Sequence, residues 1–156
     1  MSDIPDKLKR LGLTLPAPKP ALASYAPFRL SPGLLHVSGQ GPVAADGTAI
    51  SGKSGADIDL ETAQSAARLC AVNILAQVEQ ALDGDWSRLN GCLKLNGFVN
   101  ATPDFTQHPQ IINGASELIS TVLGENGRHA RSAVGVASLP LGWAVEIDAL
   151  FEVTCD

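Results

Sequence analysis

The sequence has only three cysteines, Cys70, Cys92 and Cys155, and no two of them stand in a C-x-x-C pair. An odd number of cysteines without paired spacing argues against a disulfide framework and against a structural zinc site. Cys70 falls on the apolar stripe of a predicted helix, where a free cysteine usually serves as a small core side chain. We therefore expect a reduced, cytoplasmic protein in which no cysteine acts as a nucleophile.

Long apolar runs are also missing, since none approaches the roughly 18 residues that a membrane span requires. The first ten residues lack the apolar stretch of a secretory signal. Basic residues are few: 11 Lys and Arg stand against 16 Asp and Glu, for a net charge of −5. Because nucleic-acid binding depends on neutralising phosphates, this balance disfavours it. Common nucleotide, metalloprotease and serine-hydrolase motifs are absent as well.

What the sequence does contain is enough apolar material for one core, with 45% hydrophobic residues in a chain of 156. An apolar stripe beginning at Ile4 predicts a short helix at residues 2–12, which would pack as a strap on the domain or on a neighbouring subunit. Three prolines within residues 16–20 predict an extended linker. We assign residues 1–20 to this helix and linker, and residues 21–156 to the domain.

The domain alternates between helix and strand patterns. Apolar residues spaced by three and four predict one helix from Asp57 to Leu82, capped by Asp57 or Asp59, and a second from Pro109 to Leu123. Leu93, Leu95 and Val99 are predicted to share one face of a strand. The predicted strands before and between the helices are residues 25–30, 34–38, 48–51 and 93–99.

The most informative stretch runs from Arg128 to Val153. Alternating apolar residues on either side of a turn at residues 139–143 predict two strands joined as a hairpin. Arg131 and Glu146 are unusual in this apolar hairpin. They form either an anion-binding arginine with a carboxylate partner across the hairpin, or an ordinary exposed pair on a solvated face. The pattern leaves both interpretations open, and exposure is the commoner case.

This order of elements predicts an α+β fold, a two-layer sandwich in which two helices cover one face of a mixed sheet. The other face would carry Glu146, Asp148, Leu150 and Glu152. A half-apolar sheet face of this size is usually covered by another copy of the chain. We therefore expect a homo-oligomer with clefts between subunits, near the rim of the sheet that holds Arg131.

Four motifs point to a known family. The first begins at Arg131-Ser132, continues through Val134, Val136 and Leu139-Pro140, and ends in the V-E-I-D-A-L segment of residues 145–150. The second is Ser38-Gly39-Gln40-Gly41-Pro42, preceded by Tyr25. The third is Phe98-Val99 leading to Asp104-Phe105, and the fourth is Asn113 near the start of the second helix. Together they resemble the RidA/YjgF family of enamine and imine deaminases, whose older members were called endoribonuclease L-PSP or translation inhibitor. The resemblance covers most of the chain, from about Tyr25 to Val153.

The resemblance implies a chorismate-mutase-like fold, a homotrimer and ligand clefts between adjacent subunits. It implies that Arg131 binds the substrate carboxylate and that Glu146 orients or activates the attacking water. Water would add to the iminium carbon of 2-iminobutanoate or 2-iminopropanoate, ammonia would leave, and a 2-oxo acid would form without a metal or an organic cofactor. The remaining substrate-contacting positions of the family correspond to Tyr25, Ser38, Gly39, Asn113 and Ala133.

Two positions depart from the family pattern. Ala133 stands where the active deaminases usually carry cysteine, and Gly135 stands where they carry glutamate. Ala133 retains the backbone carbonyl that this position can contribute, whereas Gly135 removes a charge. Two alternatives to a hydrolase therefore stay open: a carboxylate-binding regulatory trimer without turnover, and the older ribonuclease activity. The ribonuclease alternative is the weaker one, because nothing in the spacing of the three histidines, His36, His108 and His129, pairs an acid with a base.

Overall fold

A computed structural model describes residues 3–154. A mixed sheet of five strands carries two long helices on one face, which confirms the predicted α+β class. Within residues 3–154, no helix combines the length and the apolar character that crossing a membrane requires. The helices are α1 (Ile4–Arg10), α2 (Leu60–Ala81) and α3 (His108–Leu123), and the strands are β1 (Phe28–Ser31), β2 (Leu34–Gln40), β3 (Leu89–Asn100), β4 (Ala130–Val136) and β5 (Val145–Val153).

The two long helices begin and end close to the predicted positions. Asp59 rather than Asp57 caps α2, because its carboxylate accepts a hydrogen bond from the Thr62 backbone N–H at 2.8 Å. Pro109 lies in the first turn of α3, where its missing N–H costs nothing. Gly124 ends α3 with a φ of +62°, a conformation that favours glycine. The predicted stripe of α2 is buried throughout: Ala63, Ala67, Cys70, Ile74, Val78 and Ala81.

The predicted hairpin between residues 128 and 153 is wrong. Both of its strands exist, but β3 lies between them in the sheet order β1-β2-β5-β3-β4. β4 runs parallel to β3, and β5 runs antiparallel to it. A strand–helix–strand unit, β3-α3-β4, therefore replaces the hairpin, since α3 supplies the long crossover that a parallel pair needs. Arg131 and Glu146 are consequently not neighbours across two paired strands.

Three smaller strand predictions also need correction. The first strand begins at Phe28, so Tyr25 lies in the loop before it. Residues 48–51 form only isolated bridges, at Ala49 and Ser51, instead of a strand. Leu93 is 39% exposed because the register of β3 against β5 shifts between Cys92 and Lys94, which turns this side chain away from the core.

The N-terminal segment packs on its own domain. Ile4 and Leu8 of α1 are buried in the common core, where α1 contacts α3. The chain from residue 13 to residue 20 has no regular structure, and the Gln77 side chain of α2 donates a hydrogen bond to the Lys19 carbonyl at 2.8 Å. Residue 2 of the predicted first helix lies outside the described residues.

Both described cysteines, Cys70 and Cys92, are buried. Burial raises the pKa of the Cys92 thiol to about 12 and raises the pKa of the Cys70 thiol well above its usual value. The two thiols therefore stay protonated at neutral pH, as expected for core side chains. Cys155 lies outside the described residues.

Alternation along β5 divides the sheet into a helix-covered face and an open face. Val145, Ile147 and Phe151 are completely buried beneath the helices. The residues between them, including Glu146 and Asp148, are only half-buried and point to the other side. The open face is the side of the sheet that carries His36, Lys94, Asn96, Phe98, Glu146, Asp148 and Leu150.

Candidate functional site

The predicted site residues fall into two groups on opposite faces of the sheet. Leu95 of β3 is fully buried beneath the helices, and its partner in β4 is Arg131. Lateral partners in a sheet share a face, so the Arg131 side chain points to the helix side. Three residues further along β3, Phe98 pairs with Glu146 of β5 on the open face. Within one chain, the two charged groups therefore do not meet.

The first group surrounds Arg131, and we call it the arginine cluster: Pro109, Asn113 and Ser116 of α3, with His129 and Arg131. Nη1 of Arg131 donates to Asn113 Oδ1 at 2.8 Å and to Ser116 Oγ at 3.1 Å, and Nη2 donates to the Pro109 carbonyl at 3.4 Å. All three acceptors are neutral. Among the described residues, no carboxylate lies within ion-pair distance of the guanidinium. Its remaining N–H donors and its charge are thus available to an anion.

Ser116 and His129 also belong to this cluster, although neither was among the site residues predicted from the sequence. His129 Nδ1 lies 2.6 Å from the Gly127 carbonyl, which can only accept, so Nδ1 carries a proton. In the neutral ring, Nε2 then accepts from the Ser116 hydroxyl at 2.8 Å. Ser116 in turn accepts from Arg131, so the ring supports the guanidinium through one hydroxyl. The sequence did hold a clue to Ser116, because residues 113 and 116 lie about one helical turn apart and therefore share a face of α3.

The second group is the glutamate cluster: Tyr25, Ser38, Gly39 and Glu146. These residues line a broad cavity of about 1050 Å³ on the open face. A Cβ atom on Gly39 would lie 2.9 Å from the Glu146 carboxyl carbon, so only glycine lets the carboxyl group approach the β2 backbone this closely. The Ser38 hydroxyl donates to the Ala26 carbonyl at 2.6 Å, which ties β2 to the loop that carries Tyr25.

Electrostatics make Glu146 unusual among the acidic residues of this surface. Burial raises the pKa of its carboxyl group, and the nearby negative charge of Asp148 adds to the rise. Asp148 itself accepts a hydrogen bond from Asn96 Nδ2 at 2.7 Å. A half-buried carboxylate with a raised pKa beside an open cavity has the properties of a general base.

The two positions that depart from the family pattern both lie on β4, on the side of Arg131. Ala133 is partly buried against the core, and Gly135 lies beside His108. A Cβ atom at position 135 would stand 2.5 Å from His108 Nε2, so no side chain fits there while the imidazole keeps its place. The ring of His108 is held edge-on against Phe105, with 5.4 Å between ring centroids. The missing glutamate is therefore accompanied by an imidazole that takes up its space.

The three histidines do not form an acid–base pair in the described part of the chain. His36 is exposed on the open face, His108 packs beside Gly135, and His129 bonds to Ser116 and Gly127. No hydrogen bond joins any two of them. Within the described residues of one chain, the histidines therefore supply no acid–base pair of the kind that metal-free RNA cleavage uses.

Comparison with known proteins places these features in a family. Residues 6–152 match the family model described as "YjgF/chorismate_mutase-like, putative endoribonuclease". Protein TCP17 of Trypanosoma cruzi is 48% identical over 147 residues, which span 94% of this chain and 91% of TCP17. The crystal structure of Atu1372, a protein of unknown function from Agrobacterium tumefaciens, is 54% identical with a TM-score of 0.89, over 97% of this chain and 94% of that one.

A more distant match carries the RidA name. The crystal structure of RidA from the Antarctic bacterium Psychrobacter sp. PAMC 21119 is 25% identical with a TM-score of 0.61, over 90% of this chain and 96% of that one. The chain thus shares its fold with RidA but is much more similar to Atu1372. This difference is what a divergent subgroup would show.

Proposed function

The chain belongs to the RidA/YjgF family, and we propose that it hydrolyses 2-imino acids and their enamine tautomers in clefts between the subunits of a homotrimer. The observation that carries this proposal is the set of groups that surround the Arg131 guanidinium. Its guanidinium is held in place by three neutral acceptors and lacks a carboxylate partner among the described residues. A positioned cation of this kind fits a substrate carboxylate, which it binds with two parallel hydrogen bonds.

The proposed site is shared between two subunits. The arginine cluster lies on the helix side of β4, which is an edge strand of the sheet, and the glutamate cluster lies on the open face. A cyclic assembly with a head-to-tail interface brings one surface of a subunit against a different surface of the next. In the proposed trimer, an interface of this kind brings the Arg131 of one subunit towards the Glu146 of its neighbour, which is not possible within one chain because the two residues lie on opposite faces of the sheet.

In the proposed reaction, Arg131 binds the carboxylate of a protonated 2-imino acid. Glu146 accepts a proton from a water molecule while the water oxygen bonds to the iminium carbon. The Glu146 carboxyl then protonates the amino group of the tetrahedral intermediate, the C–N bond breaks to release ammonia, and the hydroxyl group loses its proton to the regenerated Glu146 carboxylate as the C=O bond of the 2-oxo acid forms. Glu146 passes this proton on to the ammonia, which leaves as ammonium. The raised pKa of Glu146 suits this exchange, because a base of higher pKa takes up and returns a proton more readily.

The substitutions at positions 133 and 135 favour one competing function, a carboxylate-binding trimer without turnover. The arginine cluster would still bind a carboxylate in that case, because neither Ala133 nor Gly135 contacts the guanidinium through a side chain. The two functions therefore differ in turnover alone. Both predict binding that depends on Arg131.

The test is an imine decay assay. 2-Iminobutanoate is generated in place, and its disappearance is followed with wild type, with Arg131→Ala and with Arg128→Ala. Arg128 is a matched control, because it is an exposed arginine three residues away whose nearest carboxylate is the exposed Glu125 at 3.8 Å. We expect wild type and Arg128→Ala to accelerate decay, and Arg131→Ala to lose at least about a hundredfold, in line with two charged hydrogen bonds.

A wild-type protein that binds 2-oxobutanoate through Arg131 but leaves imine decay unchanged would overturn the deaminase proposal in favour of the binding trimer. Binding is measured by titration calorimetry on the same three proteins. The oligomeric state is measured in parallel by light scattering, with a trimer expected.

A further inference from the structure

A second cavity, mostly apolar and of about 250 Å³, opens beside the glutamate cluster. One side is formed by residues 19–22, at the end of the proline-rich linker, and we call this segment the strap. The end of β2 and the loop after it, from Gly39 to Val43, also line the cavity, together with Leu141 and Trp143. We call this cavity the strap pocket. It lies outside the set of residues that the family resemblance assigns to the site, apart from Tyr25 and Gly39.

The rim of the strap pocket exposes large apolar side chains. Leu22 is 65% exposed, Tyr25 is 49% exposed and Leu141 is 75% exposed, and all three line this one cavity. Clustered exposure of this kind in a single chain marks a surface that binds either a ligand or a neighbouring subunit. Leu141 is also held with a φ of +57°, a backbone conformation that L-residues other than Asn and Asp seldom adopt. Local strain that presents an apolar side chain to a cavity is typical of ligand sites.

Buried amides of α2 hold the walls of the strap pocket in place. Asn73 Nδ2 donates to the Gly41 carbonyl at 3.0 Å and to the Val43 carbonyl at 2.9 Å, and Gln77 Nε2 donates to the Lys19 carbonyl at 2.8 Å. Asn73 and Gln77 are almost fully buried, and one acceptor oxygen on each has no partner. The pocket is therefore preformed, which lowers the entropic cost of filling it.

The strap pocket borders the proposed reaction site. Leu22, Tyr25, Gly39 and Trp143 line both this pocket and the open-face cavity that contains Glu146. A 2-imino acid whose reacting carbon lies near Glu146 would have the strap pocket beside it. The substituent on that carbon is the part of the molecule that can enter.

We propose that the strap pocket receives the side chain of the substrate, and that the preferred substrates are 2-imino acids with a bulky aliphatic or aromatic side chain. This inference rests on the proposed function, since it concerns the substrate class of the same site. Size supports it, because an apolar protein cavity of roughly 150 Å³ is already large enough to bind benzene. A methyl or ethyl group would leave most of the strap pocket empty.

The test compares two imines, one derived from phenylalanine and one derived from alanine, each generated in place by an amino-acid oxidase. We expect the wild-type kcat/KM for the bulky imine to exceed that for the small imine by about tenfold or more, the scale on which apolar pockets discriminate. Ala49 lines the pocket at its exposed edge, so Ala49→Phe fills the pocket without crowding the core. This variant should abolish the preference. Ala45→Phe, in the same loop and also exposed, is the matched control that keeps it.

A direct binding measurement separates failure of this inference from failure of the proposed function. Phenylpyruvate and pyruvate, the corresponding products, are titrated into wild type and Ala49→Phe by calorimetry. The inference predicts at least about tenfold tighter binding of phenylpyruvate to wild type and loss of that difference in Ala49→Phe. This holds even if neither imine is hydrolysed, a result that would overturn the deaminase proposal alone. Equal affinities for the two products, or an unchanged difference in Ala49→Phe, would overturn the substrate class.

Discussion

The arginine cluster and the glutamate cluster are built in different ways. Arg131 lies at an edge strand and is supported by a dense set of neutral acceptors from α3. Glu146 lies on an inner strand, without a positive partner among the described residues, and next to a second carboxylate, Asp148. The first arrangement fixes the position of a charge and leaves it free to attract an anion. The second disfavours the ionised form of the Glu146 carboxyl group, so that this group takes up a proton more readily.

In the proposed reaction, this difference assigns substrate binding to the arginine cluster and proton transfer to the glutamate cluster. A firmly positioned guanidinium contributes to substrate affinity, whereas a carboxylate with a raised pKa contributes to proton transfer. The two clusters should therefore control different kinetic constants, KM for the arginine cluster and kcat for the glutamate cluster.

The largest effect is expected for Glu146→Gln. Glutamine keeps the size of the side chain but cannot take a proton, so kcat should fall by about a hundredfold or more while KM stays nearly constant. The measurement is the imine decay assay over a range of substrate concentrations. Glu152→Gln is the control, since Glu152 is exposed on the same strand and outside the open-face cavity. A change confined to KM would contradict the assignment of Glu146 to chemistry.

A smaller effect is expected for Ser116→Ala. The substitution removes one acceptor of Arg131 and breaks the link to His129, so the guanidinium loses part of its support. We expect KM to rise by about tenfold or less, below the full value of one hydrogen bond to a charged group because Ser116 acts on the substrate only through Arg131, with kcat little changed. Ser120→Ala, one turn further along α3, serves as the control. A fall in kcat at constant KM would contradict the binding role of the arginine cluster.

The smallest effect concerns stability. Because burial raises the pKa of Glu146, the ionised carboxylate is less favourable in the folded chain than in the unfolded one, and folding stability falls as pH rises through the raised value. Glu146→Gln removes this cost at neutral pH. Its Tm should exceed that of wild type by a few degrees at most at pH 7, and the gap should shrink as pH falls towards 4.5, the ordinary glutamate value. A gap that widens on acidification would contradict the raised pKa.

Local patterns in the sequence predicted the helices well because their signals are short-range. The apolar stripe of α2 depends on residues within a few positions of one another. The same is true of the cap that Asp59 provides at the start of α2 and of the glycine, Gly124, at the end of α3. Leu93 was placed on the wrong face because a register shift in β3 leaves no mark in an alternating pattern.

Strand order was harder to predict because it depends on distant partners. The strands around the turn at residues 139–143 look like a hairpin when taken alone, and consecutive strands do pair in most cases. The correct order was accessible from β3, α3 and β4 taken together, since a strand followed by a helix and another strand favours a parallel crossover. The same error put Arg131 and Glu146 opposite each other within one chain, whereas the structure places them on opposite faces.

The site itself was predicted from residue identity rather than from physical pattern. Arg131 and Glu146 already stood out in the apolar pattern, which left their role open. The family resemblance assigned that role and added Asn113, which is now found in contact with the arginine. Ser116 and the walls of the strap pocket were missed. They depend on how α3 and α2 face the sheet and the strap, which no single segment encodes.

The central claim is that one active site takes Arg131 from one subunit and Glu146 from the next. It is tested most directly by assembling mixed oligomers from Arg131→Ala chains and Glu146→Gln chains, co-expressed with different tags and purified through both. Each variant alone should be inactive. Purification through both tags removes the two homotrimers, and each remaining mixed trimer has both residues intact in one of its three clefts, so we predict about a third of the wild-type imine hydrolysis. Mixed oligomers no more active than the two parents would contradict the account.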